Sequence, residues 1–166
     1  MQLAGNFKAP SVFLRIAIAA SYLWASADRL GIIGAHGQPH IGWGDWQHFL
    51  DYSKQVMSFL PDALVAPLAV IATASEVIIG LMLIMGLFTR VAAVASGLLS
   101  LSFALSMAIS LGINAPLNYS VFTLSAASFL LATAPYYVYS LDAMKQLPLC
   151  RRLDYYAGDH LIDIIR

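Results

Sequence analysis

The sequence predicts an all-α, integral membrane four-helix bundle with an amphipathic interfacial helix in its first loop. Three observations lead there. Hydrophobic residues fill 60% of the 166 positions and charged residues only 11%, against about 25% charged in soluble domains. Four apolar runs follow one another, over 11–30, 63–87, 91–111 and 117–134. The second of them, Ala63 to Leu87, is long enough as a helix to cross a hydrocarbon layer of about 30 Å, and it carries one carboxylate, Glu76, near its middle.

Composition also excludes several classes. The formal net charge is +0, so bulk electrostatics give no case for nucleic-acid binding. The single Cys150 rules out an intrachain disulfide and a Cys-x-x-Cys relay. No linker rich in Pro, Gly or Ser parts the apolar runs, so residues 1–166 read as a single transmembrane domain.

The first run, SVFLRIAIAASYLWASADRL over Ser11 to Leu30, has the small residues Ala25-Ser26-Ala27 after an apolar stretch, as a signal peptide would. Arg15 interrupts the would-be hydrophobic region, and the run reads as a retained spanning helix. At helical spacing Arg15, Tyr22, Ser26 and Arg29 share one face while Trp24 takes the other. That pattern predicts a polar stripe toward other helices and an aromatic ring toward lipid. Snorkelling of each arginine to its nearer interface is the competing reading.

Gly31 to Pro61 is the longest connection. Its first half, GIIGAHGQPHIGWG, is rich in turn formers. Its second half predicts a helix over 45–60, capped by Asp45 and stopped by Pro61. Trp46, Phe49, Leu50, Val56, Met57 and Leu60 form one apolar face, which suits a helix lying in the interface. His36, His40 and His48 lie in this connection, beside Trp43 and Trp46. Three imidazoles can bind metal or relay protons, but the spacing matches no standard zinc pattern, and no metal or haem motif is expected.

In the second run Ala69, Ala72, Thr73, Glu76 and Gly80 make a small-residue face that admits a neighbouring helix. The brief Phe88-Thr89-Arg90 turn forces the third run to return antiparallel. Its serines, Ser96, Ser100, Ser102, Ser106 and Ser110, are suited to tight packing and to hydrogen bonds across helices. The fourth run has Ser125, Ser128 and Ala132 on its small face and ends at the aromatic belt Tyr136-Tyr137-Val138-Tyr139. Residues 143–166 read as a tail. Lys8, Arg90, Lys145, Arg151, Arg152 and Arg166 fall on one side of a four-span arrangement, Lys54 and Arg29 on the other. The excess of positive charge places both termini in the cytoplasm.

An ionised Glu76 at mid-membrane costs roughly 2.5 kcal/mol or more unless it is paired. It is therefore expected to face the interior and meet a group on the first helix. Arg15 is the expected partner and Tyr22 the alternative, because Arg29 lies near the opposite surface.

With these pieces in order, the chain resembles the DoxX-like membrane protein family. The first span ends in Ser26-Ala27-Asp28-Arg29-Leu30-Gly31, followed by Trp43-Gly44-Asp45-Trp46. Then come Glu76-Val77-Ile78-Ile79-Gly80, Leu83-Ile84-Met85-Gly86-Leu87-Phe88-Thr89-Arg90 and the closing Tyr139-Ser140-Leu141-Asp142-Ala143. The resemblance, roughly Phe13 to Ala143, implies a four-helix bacterial inner-membrane protein. It also implies a link to quinone-dependent, thiol-redox or metal-handling systems. More distant four-helix thiol oxidoreductases use paired cysteines, which are absent here.

Three functional readings stay open. One is a redox-linked subunit with a quinone or small substrate bound near Glu76 and Arg15, where a buried carboxylate passes protons. Another is an accessory subunit, transporter or binder that recognises a lipid, an anion, a protein partner or a second copy of itself. In the third, the pair only locks the bundle. The residues in question are Glu76, Arg15, Tyr22, Ser26 and Arg29 inside the membrane, with His36, His40, His48, Trp43 and Trp46 in the loop. No catalytic residue is assigned.

Overall fold

A computed structural model describes residues 8–135 and 137–143. The described residues are helical, with no strand. Helix α1 spans Lys8–Arg29, α2 Trp46–Val56, α3 Asp62–Met85, α4 Thr89–Leu111, α5 Asn114–Asn118 and α6 Val121–Ala132. Helices α1, α3 and α4 are long and apolar enough to cross a membrane. The side chains they leave outward are those a lipid phase accepts: Trp24, Ile71, Ile78, Val91, Leu98, Leu105 and Ile109 are all exposed. The fold is a membrane helical bundle.

The fourth run departs from the prediction of one span over 117–134. It breaks at Tyr119 and Ser120, and Ser120 takes a left-handed backbone (φ 55°) before α6 begins. Pro116 and the polar triplet Asn118-Tyr119-Ser120 favour a turn over a continuous helix. What remains is α6, 12 residues long, rising about 18 Å. The predicted interfacial helix over 45–60 is also shorter, closing at Val56 with Met57 as its C-cap.

Helices α1 and α3 run antiparallel. Arg29 sits beside Thr73 and Glu76, Ala19 and Leu23 beside Gly80, and Arg15 beside Gly86. The core between α1, α3, α4 and α6 consists of Ile18, Ala19, Tyr22, Ile79, Leu83, Ala92, Ala93, Leu131 and Ala132. Ala19, Ala92 and Ala93 let backbones approach closely, and hydroxyls bridge between them. Tyr22 Oη lies 2.9 Å from Ser96 Oγ and 2.7 Å from Ser100 Oγ, and Ser96 Oγ lies 2.7 Å from Ser128 Oγ. This chain of hydroxyls joins α1 to α4 and α4 to α6.

The two ends of the bundle are closed differently. At the hairpin end, Arg15 donates to the carbonyls of Val138 (3.4 Å) and Tyr139 (2.6 Å). The Asp142 carboxylate accepts from the amides of Phe88 and Thr89, which caps the start of α4 and suits the positive end of the helix dipole. At the loop end, α2 lies across α3 and α4, tied by Ser110 Oγ donating to the Val56 carbonyl at 2.7 Å.

Candidate functional site

Helix α1 stops at Gly31, whose φ of +68° suits a residue without a Cβ. Gly31 N bonds to Asp28 O and Ile32 N to Ala27 O, a Schellman termination. This fixes where Arg29 and Asp28, on the last turn, can reach.

Arg29 does not go to the nearer interface. Its side chain folds back along α1, with Nε donating to the Ala25 carbonyl at 3.2 Å. Nη1 is 3.0 Å from Glu76 Oε2 and donates to Thr73 Oγ1 at 3.0 Å. Ser26 Oγ donates to the same carboxylate oxygen at 3.3 Å. Arg29 and Glu76 are both shut from solvent, at 4% and 2% exposure.

The expected Glu76–Arg15 contact is therefore corrected to Glu76–Arg29. The reason is the direction in which helical side chains lean. Each Cα–Cβ bond tilts toward its own helix N-terminus. On α1 that carries Arg15 away from Glu76 to the hairpin end and carries Arg29 down into the bundle. On the antiparallel α3 it tips Glu76 toward the loop end, to meet Arg29.

Two aromatic rings cover the guanidinium. The Phe49 ring, from α2, has its centroid 4.1 Å from Arg29 Cζ, and the Trp43 ring, from the loop, lies at 5.2 Å. Both are within cation–π range. The rings meet edge to face at 5.5 Å. The Asp28 carboxylate holds the loop over them by accepting from the amides of Gly42, Trp43 and Gly44 at 2.9 to 3.4 Å.

Of the loop candidates, His36 and His48 stack face to face, with centroids 3.5 Å apart and planes 9° apart. His36 Nδ1 is 2.9 Å from the Trp43 carbonyl and His48 Nδ1 is 2.7 Å from Asp45 Oδ2. Both acceptors are oxygens without a proton, so each Nδ1 carries the hydrogen. Asp45 caps α2 as predicted, accepting from His48 N at 2.9 Å. The His48 amide, then its ring, hold the Asp45 carboxyl below its usual range. Trp46 packs on Phe49 at 5.3 Å. His40 is exposed and takes φ 67°. No group of three His, Cys, Asp or Glu side chains suited to a metal ion occurs among the described residues.

Tyr22 lies one turn of α1 below Ser26, its hydroxyl engaged by α4 rather than by Glu76. Arg15 belongs to the opposite end. The stripe Arg15, Tyr22, Ser26 and Arg29 does face the interior, with none of the four more than 4% exposed, while Trp24 is 60% exposed.

Three contributors are added by the structure: Asp28, Thr73 and Phe49. Each had a signal in the sequence. Asp28 adjoins Arg29, Thr73 shares a helical face with Glu76, and Phe49 lies on the apolar face of α2.

The arrangement is thus a buried guanidinium–carboxylate pair, flanked by two hydroxyls and roofed by two rings. The family model described as DoxX matches residues 12–109. The chain belongs to the DoxX family. Neither a curated protein nor a solved structure matches it. The DoxX match contains most of α1, the loop, α2, α3 and most of α4. The Arg29–Glu76 pair and its aromatic roof lie inside it, and the Asp142 cap lies outside.

Proposed function

We propose that this DoxX-family chain is a bacterial inner-membrane accessory or binding subunit with both termini in the cytoplasm. Its Arg29–Glu76 pair receives the flat, hydrogen-bond-accepting head group of a small membrane-soluble molecule, a quinone above all. The observation that carries this reading is the setting of Arg29: Nη1 stands 3.0 Å from a carboxylate oxygen, and Cζ lies 4.1 Å from the centroid of the Phe49 ring.

A quinone head has apolar faces and two carbonyl acceptors, and these fit the groups present. A ring inserted against Phe49 in place of Trp43 would keep the cation–π contact. The Arg29 guanidinium supplies hydrogen-bond donors in a water-poor site. When bound, a quinone carries electrons and protons between its oxidised and reduced forms. The chain's part is to orient the head group, keep water away and offer Glu76 as a group able to hold a proton.

The second reading is structural: the pair locks α1 to α3 and binds nothing. It is favoured by the partners already in place, since Glu76 has Ser26 and Arg29, and Arg29 has Thr73 and the Ala25 carbonyl.

Tryptophan quenching by a short-tailed ubiquinone, with the full chain in lipid nanodiscs, separates the two. Binding predicts saturable quenching that weakens at least about tenfold in Phe49→Leu, where the fold is kept and the ring face is lost. Absence of saturable quenching in the wild type supports the lock.

A further inference from the structure

The roof over Arg29 is not one piece. Trp43 belongs to the loop and Phe49 to α2, so a seam between two segments runs directly above the guanidinium. His36 and His48 lie on that same seam, one from each side. His36 is bonded to the Trp43 carbonyl and His48 to Asp45 at the start of α2. Stacked 3.5 Å apart, the two imidazoles fasten the loop to the helix.

We propose that the His36–His48 stack is an acid-sensitive clasp that keeps the Trp43/Phe49 seam shut at neutral pH and releases it when both rings are protonated. It regulates the site described under Proposed function, and so rests on that reading for its purpose but not for its physics.

Histidine is the side chain whose charge changes between pH 5 and 8. Each ring already donates from Nδ1, so an incoming proton goes to Nε2 and leaves both hydrogen bonds intact. One proton is tolerated, because an imidazolium stacks on a neutral imidazole and Asp45 is in contact with His48. Two protons place like charges face to face. At 3.5 Å, even with the dielectric of water, their repulsion shifts an equilibrium by roughly an order of magnitude.

The other charges near the pair do not reverse this sign. Asp45 is bonded to His48, and Asp51, on the next turn, is close enough to sense it. Lys54 occupies Asp51 at 3.1 Å. On the loop side, Asp28 is taken by three amides. Asp45 and Asp51 both have carboxyls held below the usual range, so they remain charged across the interval in which histidine titrates. The carboxylates favour the first proton; no anion lies between the stacked rings to relieve the second. Because His36 stays bonded to the Trp43 carbonyl, the loop moves with its indole: the amides of Gly42, Trp43 and Gly44 leave Asp28, and the seam opens between Trp43 and Phe49.

Hydrogen–deuterium exchange of the full chain in nanodiscs, at about pH 7.5 and about pH 5 and normalised to intrinsic rates, tests this. In the wild type, the amides of 36–44 should exchange about tenfold faster in acid. His36→Phe/His48→Phe keeps a stack without charge and should lose the acceleration. Should that variant fold poorly, His48→Phe alone serves, since one titrating ring cannot produce the repulsion. Wild-type exchange that is independent of pH overturns the clasp, as does equal acceleration in the variants. Quinone binding reads out separately. Acid-accelerated exchange without any quinone binding keeps the clasp and removes the proposed function; binding with pH-independent exchange does the reverse.

Discussion

Arg29 Nη1 stands 3.0 Å from Glu76 Oε2, and neither side chain reaches solvent. Water has been removed from both charges, so each depends on the other. Removing one partner from such a buried pair costs about 3–5 kcal/mol. Glu76→Ala should therefore lower thermal stability in detergent sharply. Glu76→Gln should cost less, because the amide still accepts from Ser26 and Arg29. Arg15→Gln should leave this pair untouched, and its effect should add to that of Glu76→Gln, because the two sites lie at opposite ends of the bundle. Melting curves of the two single variants and the double variant check this. Strong coupling between Arg15 and Glu76 would contradict the pairing.

Why the sequence named the carboxylate but not its partner is a matter of direction. Arg15, Tyr22, Ser26 and Arg29 recur at helical spacing, and their common burial follows from that period. So does the outward Trp24. Choosing between Arg15 and Arg29 needs the lean of side chains along two antiparallel helices, together with their axial register. The register is set by close contacts such as Gly80 against Leu23, which no single stretch encodes. The roof was legible only as separate parts. The apolar face of α2 marks Phe49, but its meeting with Trp43 depends on three amides converging on Asp28 across 14 to 16 residues of chain. The fourth run misled because hydropathy is blind to the left-handed turn at Ser120.

Tyr22 should matter more through its hydroxyl than through its ring. Its oxygen sits between Ser96 and Ser100 in the buried core. Tyr22→Phe keeps the packing and removes the contacts to Ser96 and Ser100, whose hydroxyls retain Ser128 and the Ser96 carbonyl as partners, at a cost of about 0.5–1.5 kcal/mol. Ser128→Ala should cost less, because Ser96 Oγ still has Tyr22 within 2.9 Å. Unfolding in mixed detergent micelles measures both. A Tyr22→Phe variant as stable as the wild type would show that the hydroxyl chain contributes nothing.

Orientation has a direct test. The basic residues outside the spans crowd the hairpin end and the tail, while Lys54 stands alone on the loop side. Positive charge is retained in the cytoplasm, so the loop end should face outward. A phosphatase reporter, active only outside the cytoplasm, should give signal when fused at Gln38 and none when fused after Arg166. The opposite pattern would invert the protein. It would also put the His36–His48 pair in the cytoplasm, away from the acidity of the medium.

The hairpin end gives the last prediction. Gly86 ends α3 with φ +66°, a left-handed value at which a side chain is strained. A Cβ there would stand 2.6 Å from Ser140 Cα and 2.9 Å from Arg15 Nη1. The segment carrying Ser140 also brings Asp142, whose carboxylate accepts from the amides of Phe88 and Thr89 and whose own amide donates to the Gly86 carbonyl at 3.0 Å. Gly86→Ala therefore strains the turn and pushes the closing segment off its seat in one step. The backbone strain alone is on the order of 1–3 kcal/mol. Asp142→Asn keeps an acceptor for one amide but loses the charge that complements the start of α4, worth about 0.3–1 kcal/mol. Gly86→Ala should accordingly destabilise more than Asp142→Asn, and limited proteolysis should cut after Tyr139 sooner in both variants than in the wild type. If Gly86→Ala is neutral in melting and proteolysis, the closing segment does not depend on this contact, and Arg15 with its two carbonyls holds that end unaided.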